Sequence, residues 1–285
     1  MEALAGKCAS WFQIEQTGAC MDVELELDEH EKKRPAVFGR QPRGTWTLKI
    51  VAHRGYSGKY PELSRLAFEK ALELPIHGIE CDVRMSRDGK VVVNHDATLD
   101  RTSDRIGKLS ALDWAEIKLA DIGTEKHPQQ YPLLLDELLE MWEPSGQHLY
   151  IETKHPGAAG DILEEQVVLR LRYAGLIDDP RIHIISFSHR AIRRMKSLAP
   201  HMDRIYLRRD WERHFNRPDV LLSEPTGLGM SLLRGKLQPS AIGAYGLPTY
   251  MWTIDKPEDM KWAWANGVDI LATNQPEVAL HAIQM

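Results

Sequence analysis

From Trp46 onward, short apolar runs alternate with stretches of helical spacing, and this alternation limits the possible folds more than any other feature of the chain. Residues 48–52, 79–83, 91–93, 149–152, 182–187, 205–207, 250–254 and 268–272 read as strands, and residues 227–231 are the best candidate for a weaker one. Leu66, Phe68, Ala71 and Leu72 mark a helix between the first two. Further helices are expected around Leu133, Leu134, Glu137, Leu138 and Met141, around Leu163, Val167 and Leu171, and over residues 191–198, 260–265 and 278–283. Strands separated by helices imply a parallel sheet. Roughly eight such units over about 240 residues match a closed (β/α)8 TIM barrel, an α/β fold whose functional side chains stand at the C-terminal ends of the strands.

Those strand ends are polar. His53-Arg54-Gly55, Glu80-Cys81-Asp82, His95-Asp96 and Glu152-Thr153-Lys154 each close an apolar run. Side chains alternate along a strand, so Glu80 and Asp82 share one face while Cys81 points to the other, as a small buried group against the helices. Glu152 and Lys154 share a face for the same reason. Glu80, Asp82 and Glu152 offer only oxygen ligands, which suits one divalent cation such as Mg²⁺ or Ca²⁺ and disfavours structural zinc. Without a cation, three crowded carboxylates would repel one another. The blander alternative is plain salt bridges to Arg54 or Lys154. His53 and His95 carry groups that titrate near neutrality and suit general acid–base work. Arg54 and Lys154 are candidates for holding phosphate oxygens, and Trp252 for an apolar wall. Together these residues describe a metal-assisted phosphoryl-transfer site. His77, His127, His148, His155, His183, His189 and His201 share no such context and read as structural or exposed, His155 least securely because it follows Lys154.

Arg87-Asp88-Gly89-Lys90 reads as a hairpin turn leading to the strand before His95. The link over residues 97–147 exceeds an ordinary connection. It reads as a small insertion after the second strand region, overhanging the barrel mouth, with a helical turn at 113–118. Residues 1–46 differ in character, with acids dense over 23–31 and basic residues with Pro35 and Pro42 over 32–43. They form an N-terminal extension, either ordered against the barrel floor or partly disordered, with 47–285 as the barrel.

A net charge of -5 gives no reason to expect nucleic acid as a partner. The three cysteines, Cys8, Cys20 and Cys81, do not suggest a disulfide framework. No run is long and apolar enough for an integral membrane segment, and the first residues lack a secretory pattern, so a cytoplasmic protein is expected.

In order, these motifs resemble the glycerophosphodiester phosphodiesterase family. The resemblance rests on His53-Arg54-Gly55, Pro61-Glu62-Leu63-Ser64, Gly78-Ile79-Glu80-Cys81-Asp82-Val83, Asp88-Gly89, His95-Asp96, Leu99-Asp100-Arg101-Thr102 and Ile151-Glu152-Thr153-Lys154. Ser186-Phe187, Trp252-Thr253 and residues 267–276 extend it. It implies a TIM barrel and hydrolysis of a small-molecule phosphodiester to an alcohol and glycerol 3-phosphate. By matching positions it implies His53 and His95 as the acid–base pair, Glu80, Asp82 and Glu152 as metal ligands, and Arg54 and Lys154 as phosphate binders. Lysophospholipase-D-type and sphingomyelinase-D-type enzymes resemble the same scaffold and form the alternative, followed by a non-catalytic barrel. Three positions depart from the family pattern. Leu63 replaces a usual Asn and is expected to alter only the first loop. Asp255 replaces a common Asn and makes the mouth more acidic. Asn274 replaces a frequent Asp and is expected to serve a turn.

Overall fold

The first strand closes a ring with the last. In the computed structural model, which describes residues 47–283, Lys49–Ala52 pairs in parallel with Ile270–Thr273 on one side and with the strand beginning at Gly78 on the other. The strands are β1 Lys49–Ala52, β2 Gly78–Met85, β3 Val91–Val93, β4 Leu133–Leu134, β5 His148–Thr153, β6 Ile182–Ser186, β7 Asp203–Leu207, β8 Gly227–Ser231, β9 Thr249–Trp252 and β10 Ile270–Thr273. The helices are α1 Arg65–Leu72, α2 Trp114–Ile117, α3 Leu135–Trp142, α4 Ile162–Tyr173, α5 His189–Leu198, α6 Arg217–Ser223, α7 Leu232–Leu237, α8 Pro257–Ala265 and α9 Pro276–Ile283. Eight parallel strands run round the ring in the order β1, β2, β5, β6, β7, β8, β9, β10, and β3 and β4 continue antiparallel from β2. This is the (β/α)8 barrel expected from the alternation. The weak candidate at Gly227–Ser231 is β8. The expected extension over residues 1–46 lies outside the described residues.

Period-two alternation sorts the strand side chains into two layers. Ile79, Cys81 and Val83 face outward into the large core shared with the helices, as do Leu149, Ile151 and Ile184. Val51, Tyr150, Ile185, Ile205, Leu207, Tyr250 and Ala272 fill the lumen. Glu80, Asp82 and Glu152 take the lumen phase at the C-terminal ends of β2 and β5, where Asp82 pairs in register with Glu152.

One local departure has a clear cause. The helix expected from Leu133 begins at Leu135, because Leu133 and Leu134 pair with β3 directly after Pro132. Proline cannot donate to a helix, and the Glu137 carboxylate accepts from the Leu134 amide to start the helix one residue later. The strand before His95 is the hairpin partner of β2 that the Asp-Gly turn implied. Gly89 at φ 80° makes its turn. The following segment packs a small core of its own from Val92, Leu99, Leu109, Ile117 and Ala120.

Candidate active site

The mouth of the barrel begins at the turn after β1. Arg54 lies in the left-handed region at φ 59°, followed by Gly55 at φ 71°, where a β-carbon would come within 2.8 Å of the Ala67 backbone. This sharp turn drives the Arg54 amide against Glu80, whose Oε2 accepts from it at 2.9 Å. Leu63 also has φ 59°, a conformation Asn adopts more readily than Leu. Its side chain is buried in the core, and its amide donates to the Arg54 carbonyl at 3.1 Å. The departure at Leu63 therefore braces the turn that carries Arg54.

Glu80, Asp82 and Glu152 are all buried, and one oxygen of each lies within 4.8 Å of the others. Lys154 Nζ sits 2.9 Å from Asp82 Oδ1 and 2.7 Å from Glu152 Oε1, and Arg54 Nε sits 3.3 Å from Asp82 Oδ2. The anticipated salt bridges are thus present, yet they leave Glu80 out: its Oε1 is buried without a hydrogen-bond partner. Burial and the neighbouring Asp82 and Glu152 charges push the Glu80 carboxyl well up. Burial also raises Glu152, to about 7, against the pull of Lys154. Burial works the same way on Asp82, but Lys154 and Arg54 outweigh it and hold that carboxyl at about 2. A buried carboxyl oxygen left without a partner, on an acid held neutral by burial and its two acidic neighbours, fits a site for a hard divalent cation that would draw all three into their charged form.

Both motif histidines line the cavity above these acids, a space of about 120 Å³. His53 Nδ1 donates to Asn274 Oδ1 at 2.8 Å, so Nε2 is left bare and lies 4.0 Å from Glu80 Oε2. Burial, then the Arg54 charge, lowers its pKa to about 4. Asn274 is held in turn by Asp255, which accepts from its amide nitrogen at 2.9 Å and from its backbone at 2.8 Å. The two unusual residues at these positions therefore form one relay onto His53. This link to His53 comes in addition to the turn expected of Asn274 and the acidity expected of Asp255.

His95 is positioned by the hairpin. The Asn94 amide donates to the Asp82 carbonyl at 2.9 Å, and Arg84 Nε to the His95 carbonyl at 2.8 Å. His95 Nδ1 pairs with Asp96 Oδ1 at 2.7 Å, and Asp96 is itself held by Arg101. Burial lowers the His95 pKa, against the pull of Asp82. Glu62 bridges Arg54 and Arg101 and so ties the two histidine-bearing loops together. From sequence, Glu62 had no role beyond its place in the Pro61-Glu62-Leu63-Ser64 motif, and Tyr250 had none, although Tyr250 stands two residues before Trp252 and must share its face. Trp252 is partly buried and meets Phe187 edge-on at 5.3 Å. Both also line a wider opening of about 540 Å³ with Arg209 and Trp211. His155 Nε2 donates to the buried Glu164 Oε1 on α4 at 2.7 Å, in keeping with its structural reading.

An eight-stranded parallel barrel with acids, cations and imidazoles at its C-terminal rim belongs to the class of barrel enzymes. The model of the glycerophosphoryl diester phosphodiesterase family matches residues 53–278, and the chain belongs to that family. It is 30% identical to Probable glycerophosphodiester phosphodiesterase 1 of Mycobacterium tuberculosis, over 80% of this chain and 89% of the relative. It is 29% identical to the glycerophosphodiester phosphodiesterase of Caldanaerobacter subterraneus, over 82% and 97%. Among solved structures it resembles a phosphodiesterase of Oleispira antarctica in complex with its product sn-glycerol-3-phosphate. That likeness has a TM-score of 0.75 and 26% identity, and covers 83% of this chain and 97% of the other. The chain is a phosphodiesterase, a hydrolase of glycerophosphodiesters. Among the described residues no helix is long and apolar enough to cross a membrane.

Proposed function

We propose that the protein hydrolyses water-soluble glycerophosphodiesters to an alcohol and glycerol 3-phosphate, with His53 as base and His95 as acid in the first step. The observation that carries this reading is the pairing of His53 Nδ1 with a neutral amide, which leaves Nε2 unprotonated at pH 7 and facing the acid cluster. His53 Nε2 takes the proton from the glycerol 2-hydroxyl as that oxygen attacks phosphorus. His95, whose Nδ1 is paired with Asp96, gives a proton from Nε2 to the departing alkoxide. The resulting cyclic phosphate is opened by water with the two roles reversed. Arg54 and Lys154 hold phosphate oxygens, and Trp252 walls the glycerol side. Glu80, Asp82 and Glu152 are the residues that would hold one Mg²⁺ or Ca²⁺, which when bound screens the phosphate charge and polarises its oxygens.

The lipid reading needs an apolar surface for an acyl chain. Leu133, Leu134 and Trp142 near the insertion do not supply it, because Leu133 and Trp142 are buried in the core and the half-buried Leu134 packs against the small core around Val92 and Leu99. Trp211, 78% exposed at the wider opening, is the feature that favours this second reading. Comparing turnover of glycerophosphocholine and a lysophospholipid separates the two. The proposal expects the water-soluble diester to be preferred, and a strong preference for the lipid overturns it.

A further inference from the structure

The opposite end of the barrel gathers three of the histidines that share no context in the sequence. His77 precedes β2, His148 opens β5 and His183 is the second residue of β6. One nitrogen of each lies within 4.8 Å of the others. Gly78 makes this convergence possible, since a β-carbon there would fall 2.3 Å from the His148 carbonyl oxygen. The cluster borders a cavity of about 380 Å³ lined by Lys49, Tyr150, His183, Asp203 and Asp269.

We propose that this floor cluster is a second metal site, selective for a borderline divalent ion of the zinc class and distinct from the oxygen-only cluster at the mouth. Imidazole nitrogens favour such ions, whereas Mg²⁺ and Ca²⁺ favour oxygen. The hydrogen bonds already resemble a ligand set with its support. His183 Nδ1 lies 3.2 Å from Asp203 Oδ2, which fixes the tautomer that presents Nε2. His148 Nδ1 lies 2.8 Å from that Nε2, so His148 is the donor of this pair. His77 Nε2 lies 3.2 Å from the Tyr150 hydroxyl, which can donate to it. Burial, mutual repulsion and Lys49 keep His77 and His148 neutral at pH 7, the form in which imidazole binds metal.

Binding requires two local changes. His148 moves its proton from Nδ1 to Nε2, a tautomer shift that releases no proton to solvent. The His77 and His148 rings, stacked with centroids 3.9 Å apart, must rotate so that their in-plane lone pairs converge. The Lys49 ammonium opposes a cation here, and Asp203 favours it.

The test is equilibrium dialysis of the metal-stripped full chain against Zn²⁺ in excess Mg²⁺, for wild type and for Glu80→Gln, His148→Ala and Asp203→Asn. One zinc ion is expected in wild type and in Glu80→Gln. His148→Ala should lose at least about 100-fold in zinc affinity while Mg²⁺-supported turnover stays at the wild-type level. Asp203→Asn should lose about 10–100-fold. X-ray absorption of the wild-type zinc form should show a nitrogen shell near about 2.0–2.1 Å, a result independent of whether any variant folds. Zinc affinity unchanged in His148→Ala, or an oxygen-only shell, overturns the proposal.

Discussion

At the mouth of the barrel, three buried carboxylates crowd two cations and leave one acid oxygen without a partner. At the floor, three imidazoles sit equally close together, yet each has a hydrogen-bond or ion-pair partner within 3.2 Å. The lumen between them is filled by Tyr150, Tyr250, Ile185, Ile205 and Leu207. One architecture thus holds two polar clusters with opposite electrostatic character. At the mouth, burial and the neighbouring acids push Glu80 and Glu152 up and one oxygen stays unpartnered, so the cluster keeps an unfavourable arrangement that a cation can relieve. Imidazoles can stay neutral and act as donor and acceptor at once, so the floor can satisfy itself.

The contrast would break first on activity. His53→Ala should lower kcat by about 10²–10⁴-fold with an unchanged circular dichroism spectrum. Removing divalent cations with a chelator should abolish turnover in the wild type. Retention of most activity in either experiment would remove the mouth from the chemistry.

Stability should respond next, and in opposite senses with pH. Glu80 and Glu152 have folded values above their unfolded ones, so their contribution in the cation-free protein is present below about 4.5 and lost as pH rises toward about 7 and beyond. His77 and His148 have folded values depressed to about 3 and about 4, so theirs is present above about 6.5 and lost as pH falls through those values. Glu80→Gln should flatten the alkaline loss and raise cation-free stability by on the order of 1 kcal/mol, while weakening cation binding. His148→Gln should flatten the acid loss instead. Thermal melts across pH, with and without Mg²⁺, check both; matching slopes in the two variants would erase the distinction.

A subtler change tests the relay. Asn274→Asp places a carboxylate on His53 Nδ1 and should move the acid limb of the kcat/KM profile up by about 1 pH unit or more. The smallest effect is expected at Tyr250, whose buried hydroxyl has no hydrogen-bond partner. Tyr250→Phe should leave stability unchanged or raise it by about 1 kcal/mol, as read by denaturant unfolding.

Much of the mouth was legible in the chain because its residues follow one another along strands. Glu80 and Asp82 lie two apart on β2, and Glu152 and Lys154 two apart at the end of β5, so local alternation alone puts each pair on one face. Even the sparse pattern of Gly227–Ser231 could be placed, since a barrel needs a strand there. The start of α3 was misplaced because Leu133 and Leu134 satisfy either period, and pairing with β3 decides between them. Asn274 could not be tied to His53 by any local rule, because their contact depends on β1 and β10 meeting at the closure.

Local periodicity and strand-end chemistry were enough to define the barrel and its acidic rim, since both depend on side-chain direction within a few residues. Ring closure decided everything that needs distant strands side by side: the Asp255–Asn274–His53 relay, the orphaned Glu80 oxygen and the meeting of His77, His148 and His183. Their chemistry depends on distances of a few ångströms across the sheet, which only the packed backbone sets.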